Sequence, residues 1–302
     1  MTPMASDSSD PRRDLTADPD DPAAAARLYA EARRTAAEDH FAIIACINGN
    51  LEALEAVFAD IDRRAIPRIV CLGDIVGIGP NPVECVDLVF ERCDWTLQGI
   101  NDENLFGDDQ TGMRDRQTEM IYQKFRPRWF SGRVERERLE RLRQLPANAT
   151  ERGRQFAWGT WSDRYEEHRV IGSYERPRSE NTQFYIWHDF AAIDHVLFCA
   201  GAGKPGSYQR VGVSEGESET LRSLTSADRP TLVLDRSVKT IVEVGSVGHP
   251  RDEDSRPCYV EVLGEFVKWH RVDYDIDKTL RKIRASKLDD PDWWVERLRK
   301  GI

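Results

Sequence analysis

The sequence predicts an α/β protein of four layers, α/β/β/α, in which two mixed β-sheets pack face to face and helices cover them. Three observations predict it. Residues 41–98 alternate strand, helix, strand, helix, strand with short links, the mark of right-handed crossovers and parallel pairing. The chain beyond residue 147 is rich in short apolar runs separated by turn residues. The segment 275–300 returns to a helical pattern.

In chain order, residues 1–22 are polar, with Asp, Ser and Pro and little to bury, and read as a disordered tail. "PAAAARLYAEARRTAAED" is rich in helix formers and adds a possible helix before the domain. The organisation is therefore an acidic tail with that helix over 1–38 and one domain over 39–302. Phe41–Ala45 is a buried-type strand, and Asn50 can cap a helix whose apolar face holds Leu51, Leu54, Val57, Phe58 and Ile61. Arg68–Leu72 is a second strand, and Pro82 at a first helical turn opens "VECVDLVFER". Trp95–Gln98 is a third strand. Residues 102–146 read as helical with charged, solvated faces.

Further strands are expected at Glu167–Gly172, His195–Ala200, Tyr208–Gly212, Thr231–Asp235, Thr240–Val244, Cys258–Leu263 and Phe266–Val272. This order suggests a parallel half followed by an antiparallel half. Trp293 and Trp294 in the last helix read as an apolar clamp on the sheet.

The formal net charge of −10 argues against general affinity for nucleic acid or anionic membrane. No apolar run reaches a membrane-spanning length, and the start of the chain has no signal-peptide h-region, so a cytoplasmic location is expected. The six cysteines show no CxxC pairing, and several sit inside apolar runs and read as small buried thiols.

Ligands of open α/β sheets sit at the carboxyl ends of parallel strands. The turns to inspect are therefore 46–50, 73–79 and 99–104. They carry "IACINGNLEALEAVFADI", "IVCLGDIVGIGPNPVECVDLV" and "LQGINDENL". With "HVLFCAGAGKPGSY", "VGSVGHPRDEDSRPCYVEV" and "DYDIDKTLRKIRASKL" further on, the chain resembles the calcineurin-like metallophosphoesterases over about residues 40–300. The nearest pattern is the bacterial branch with a GDIVGYGPNP-type second motif.

The resemblance implies a pair of divalent cations that clamp phosphate oxygens and generate a hydroxide nucleophile. It also locates the ligand positions, and most of them are substituted. D-x-H-G-N is Cys46-Ile47-Asn48-Gly49-Asn50. G-N-H-D/E is Gly99-Ile100-Asn101-Asp102, so a ligand Asn has become Ile100 and a proton-donating His has become Asn101. An H-G-S-type motif aligns with Ile171-Gly172-Ser173, and G-H-T-H with Ala200-Gly201-Ala202-Gly203. By this carry-over Asp74 alone survives from the metal-binding set. Asp102 and His249 are added as speculative ligands of a single metal.

One carboxylate binds Mn²⁺, Fe or Zn²⁺ weakly, since affinity comes from several donors in fixed geometry. Asn101 has no titratable group for general-acid work. Cys46 could act as a soft ligand or a nucleophile, yet the turns hold no His as its base. Asp74 can serve instead as a turn residue that accepts nearby N–H groups. The glycine turns at Gly49, Asn50, Gly73, Gly99 and Ser246 read as tight strand ends, or as backbone cradles for an anion.

The expected function is a non-catalytic member of the fold, regulatory, ligand-binding or scaffolding. No cofactor is expected, or at most a divalent metal (Mn, Fe or Zn) at low occupancy. The expected partner is an unknown protein or a phosphate-containing small ligand, with no nucleic acid and no membrane. The alternative is a metal-dependent phosphoesterase with weak single-metal activity.

Overall fold

A computed structural model describes residues 21–35, 39–106, 136–159, 161, 189–201, 203–211, 220–286 and 291–302. The first part runs α1 (Pro22–Thr35), β1 (His40–Ile44), α2 (Leu51–Arg63), β2 (Ile69–Cys71), α3 (Pro82–Arg92), β3 (Trp95–Thr96) and α4 (Ile100–Glu103). It continues with α5 (Arg136–Arg143), β4 (Asn148–Glu151), β5 (Arg154–Trp158), β6 (Val196–Ala200), β7 (Gly206–Val211) and β8 (Thr220–Thr225). The last part is β9 (Thr231–Val233), β10 (Thr240–Glu243), β11 (Cys258–Leu263), β12 (Phe266–Arg271), α6 (Ile276–Ala285) and α7 (Pro291–Lys300).

Two six-stranded mixed sheets form, in the orders β3-β2-β1-β11-β12-β9 and β4-β5-β6-β10-β7-β8. Strands β1, β2 and β3 are parallel, as the alternating pattern requires. The expected split into a parallel and then an antiparallel half is corrected. The β11–β12 hairpin and β9 join the first sheet, with β11 antiparallel to β1. The second sheet has a parallel centre, β5-β6-β10, of its own. A fully buried apolar run carries no mark of which strand it will pair with, so sequence order could not reveal this interleaving.

Three further strands escaped the sequence reading. β4 and β5 form a hairpin across Arg152-Gly153, both at positive φ, +52° and +74°. This is the two-residue turn whose twist suits a hairpin, and the Arg-Gly pair was its sequence signal. β8 pairs with β7 at an edge and lacks a long apolar run. Of the stretch 102–146 read as helical, 102–103 end α4, Asn104–Phe106 is a 3₁₀ turn and Arg136–Arg143 is helix, while 107–135 lies outside the described residues, as does the strand expected at 167–172.

Each core layer follows from side-chain alternation. Inward residues of both sheets, among them Ile43, Val70, Phe156, Phe198, Val242 and Val260, form the central layer. The opposite face of the first sheet packs on α2 and α3 through Ile44, Leu54, Val57, Phe58, Val86 and Val89. Asn50 caps α2, its side chain accepting from the Ala53 N–H at 3.3 Å. The sheets are also tied by polar contacts at the strand end away from the motif turns. Arg154 of β5 makes a bidentate pair with Asp39 at 2.7 and 2.8 Å and donates to the Gly264 carbonyl.

The tryptophan clamp lies elsewhere than expected. Trp294 packs with Leu280, Ile283, Val295 and Leu298, joining the last two helices to each other, not to the sheet. Trp293 stays partly exposed, edge-on to Trp294 and under the Arg297 guanidinium. An amphipathic pair of short helices buries its large rings in its own seam when the sheet face is already covered by α2 and α3. No helix among the described residues is long and apolar enough to cross a membrane.

Helix α1 docks on the first sheet through one buried carboxylate. Glu261 of β11 accepts from the Tyr29 hydroxyl and contacts His40 Nε2 at 2.8 Å and His270 Nε2 at 2.7 Å. Burial alone would raise the Glu261 pKa, but the bonds from His270, His40 and Tyr29 outweigh it and hold the carboxyl far below the usual range. Burial depresses His270 despite the Glu261 bond.

Both groups are shifted down on folding. The stability they contribute is full above the unfolded values, 6.5 for His270 and 4.5 for Glu261, and is lost as pH falls. The melting temperature is expected to decline from about pH 6.5 downward, more steeply below 4.5. Glu261→Gln should lower Tm at pH 7 and flatten the acid limb, read by circular-dichroism melts across pH 3–8.

Candidate functional site

The carboxyl ends of β1, β2 and β3 lead into the three motif turns. Three non-glycine residues there adopt left-handed backbone: Cys46 and Asn48 at φ +52° and Asp74 at +55°. Asn and Asp tolerate that region, whereas Cys gains nothing from it. The turns hold this geometry by exchanging main-chain bonds. Cys46 donates to the Gly73 carbonyl at 2.9 Å, Asn48 to that of Asp74 at 2.8 Å, and Gly49 to that of Ile75 at 2.8 Å.

Asp102 is the anchor of the second and third turns. Its Oδ1 accepts the N–H groups of Ile75 at 3.0 Å and Val76 at 3.1 Å, and its Oδ2 accepts that of Gly99 at 2.9 Å. The carboxylate is fully buried and its lone pairs are turned to backbone. Asp74 lies beside it and accepts the Asn101 N–H at 2.8 Å. The approach is so close that a side chain on Gly99 would run into the Asp74 main chain and carboxyl. Burial, and after it the Asp102 charge, push the Asp74 pKa upward. Burial also raises Asp102, against the pull of the amides it accepts.

Asn48 and Asn101, at two positions that the resemblance marks, bond to each other. Asn101 Nδ2 donates to Asn48 Oδ1 at 3.0 Å, and Asn48 Nδ2 donates to the Cys46 carbonyl at 3.0 Å. That carbonyl also accepts the Ser246 hydroxyl at 3.0 Å and the Gly248 N–H at 2.9 Å. Gly248 sits so tightly under the Ile47 carbonyl that no Cβ fits there. Neutral hydrogen bonds thus cross-link the first, second and third turns and the loop after β10.

The Cys46 thiol is buried. Burial drives its pKa well up, and the Asp74 and Glu243 charges add to this. The thiol is sealed in the apolar layer between the sheets. Ile100 packs against the same layer.

His249 is turned to the last helices. Its main-chain N–H bonds to Ser246 Oγ at 2.9 Å, and its ring meets Trp294 edge-on at 6.3 Å. Burial, then the Arg297 charge, lower its pKa to about 4. Asp74 and Asp102 are thus brought together while His249 has different surroundings. Among the described residues, no group of three or more His, Cys, Asp and Glu side chains is arranged to hold a metal ion. Judged by donor chemistry, the residues do not fit a metal pair: one carboxylate is saturated by amides, and the imidazole is aimed at an indole.

The glycine turns spend their N–H groups inside the chain. Those of Gly49, Asn50 and Gly99 go to Ile75 O, Ile47 O and Asp102 Oδ2, and that of Gly73 to Cys71 Sγ. Ser246 is buried between Cys46 and His249. Gly201 and Gly203 follow β6, and Ile171 lies outside the described residues. Two side chains at the site were missed: Trp158, the last residue of β5, and Arg251. The signal for Arg251 stood in the "GHPRD" segment. Trp158 had none, because β5 itself went unread.

No family model matches the chain. The uncharacterized protein MJ0912 of Methanocaldococcus jannaschii is 30% identical over 262 residues, covering 86% of this chain and 97% of that protein. A solved metallophosphoesterase from Sphaerobacter thermophilus is 26% identical with a TM-score of 0.66, covering 87% of this chain and 99% of that one. The solved hypothetical protein PH1004 from Pyrococcus horikoshii shares the fold, at 16% identity and a TM-score of 0.60 over 87% of this chain and 98% of that one.

The asparagine link and the Asp102 anchor can be measured. Asn48→Ala and Asn101→Ala should each destabilise the protein, with a coupling energy of about 1 kcal/mol in a double-mutant cycle. Asp102→Asn turns an amide against main-chain donors and should cost about 3 kcal/mol in urea denaturation.

Proposed function

This chain belongs to the calcineurin-like metallophosphoesterase family, and from that premise we propose that it is a member without catalysis, acting by binding a protein partner or a phosphate-containing ligand. The observation that carries the reading is the Asn48–Asn101 hydrogen bond. Where the family resemblance asks for imidazoles, two neutral amides satisfy each other and close the gap between the first and third turns. Neither can lose a proton near neutral pH, so neither can donate one as an acid to a leaving group. The donor set supports the same reading. Asp102 spends its oxygens on Ile75, Val76 and Gly99. Cys46, Asn48, Ile100 and Asn101 each make local contacts that keep the turns in place. The charged helix α5 offers a surface on which a partner could dock.

Purified protein should carry less than about one metal ion per ten chains by elemental analysis. Phosphomonoester and phosphodiester substrates supplied with Mn²⁺ should be hydrolysed no faster by the wild type than by Asp74→Asn. Stoichiometric metal, or turnover lost in Asp74→Asn, would refute the reading.

A further inference from the structure

Helix α1 is fastened to the first sheet by polar contacts with little apolar burial behind them. It packs over β9 and β11, and Ala24, Ala25 and Tyr29 are its buried apolar residues. None of the three belongs to the apolar layers that join the sheets and the other helices. The Tyr29 hydroxyl donates to Glu261 Oε2. The Lys268 ammonium sits 4.6 Å from the centre of the Tyr29 ring, and Arg33 donates to the Arg64 carbonyl at 2.6 Å. An element held this way opens by itself, because opening breaks polar contacts and leaves the core intact.

The same junction holds a buried imidazole. His270 Nε2 lies 2.7 Å from Glu261 Oε2, the oxygen that accepts Tyr29, and its ring stacks on Tyr259 at 5.0 Å. Glu261 and Tyr259 of β11, Lys268 of β12, Tyr29 and Arg33 of α1, and His40 of β1 face this junction. From α2 and its end come Asp60 and Arg64, and Asp60 is already spent on Tyr259 and Arg64, both at 2.7 Å. Glu261 is therefore the acid that answers three cations, Lys268, Arg33 and Arg64.

We propose that α1 is a strap that leaves the first sheet on mild acidification while the domain stays folded, and that protonation of His270 is the trigger. With α1 docked, a proton on His270 adds a fourth positive charge to a buried junction. With α1 released, water reaches the imidazole and Arg33 moves away. Release bares His270 and the cross-strand pair Glu261–Lys268 on the outer face of β11 and β12. The electrostatics agree. Burial, with the Arg64 and Lys268 charges, holds docked His270 below its ordinary 6.5 against the pull of Glu261. A group held low when docked takes its proton more readily when released, so opening is favoured as pH falls below 6.5. Glu261, also held low, acts in the same sense below its ordinary 4.5, which leaves the window between to His270. The proposal stands apart from the non-catalytic reading and survives its failure.

Native-state hydrogen exchange on the full chain tests it, with rates corrected for the intrinsic effect of pH. A released 14-residue helix is marginal in water, so its amides exchange. At pH 7.5 and at pH 5.5 the α1 amides should exchange about a hundredfold faster than those of β11. Between these two values the protection of α1 should fall by about five- to tenfold, tenfold being the most one such imidazole can supply. His270→Gln, which keeps an N–H donor for Glu261 and does not titrate, should hold that change to about twofold or less. His40→Gln should keep the full fall, and it decides the trigger if His270→Gln does not fold. Protection of α1 equal to that of β11 overturns the strap, and α1 protection that ignores pH overturns the switch. A fall that persists in His270→Gln, or disappears in His40→Gln, overturns His270 as the trigger.

Discussion

The buried Asp102 carboxylate is the contact on which the motif end of the molecule depends. Three main-chain N–H groups from two different turns converge on its two oxygens. Without it those amides would face an apolar layer unpaired, at about 1–3 kcal/mol each. With it, the turn after β2 and the turn after β3 become one unit. Asp74 and Asn101 are then placed by consequence, and Asn48 can reach across from the first turn. Charged hydrogen bonds to backbone are the strong kind, and here they position both turns.

A second buried carboxylate organises the opposite face of the first sheet. Glu261 gathers Tyr29, His40 and His270, so that an N-terminal helix with little apolar surface still docks in a defined register. Ala24, Ala25 and Tyr29 are its buried residues, too few to fix it by area alone. On the same layer Asp60 accepts from Tyr259 at 2.7 Å and Arg64 at 2.7 Å. Polar ties of this kind fix orientation where hydrophobic contact is indifferent to it.

Much of the architecture was legible because local chemistry specified it. Asn50 and Pro82 marked helix starts that the structure keeps. The strands at β1, β2, β6 and β10–β12 declared themselves as apolar or alternating runs. The hairpin β4–β5 was less legible, since its first strand is polar and half exposed. At the site, the positions that the resemblance marks could be read one by one. That Asn48 and Asn101 would bond each other could not, because they lie 53 positions apart and nothing in either turn names the other.

The sequence by itself determined the α/β class, the order of the elements, the location of the motif turns and the absence of imidazoles from them. Each of those is a property of residues near one another in the chain. Tertiary structure decided which strands share a sheet, where His249 and the tryptophans turn, and that Trp158 and Arg251 meet the two glycines after β6. These are contacts between distant segments, set by packing and pairing that no local pattern encodes. The positions that the resemblance marks could be listed from the letters, but what surrounds them depends on which backbones the two sheets bring within reach.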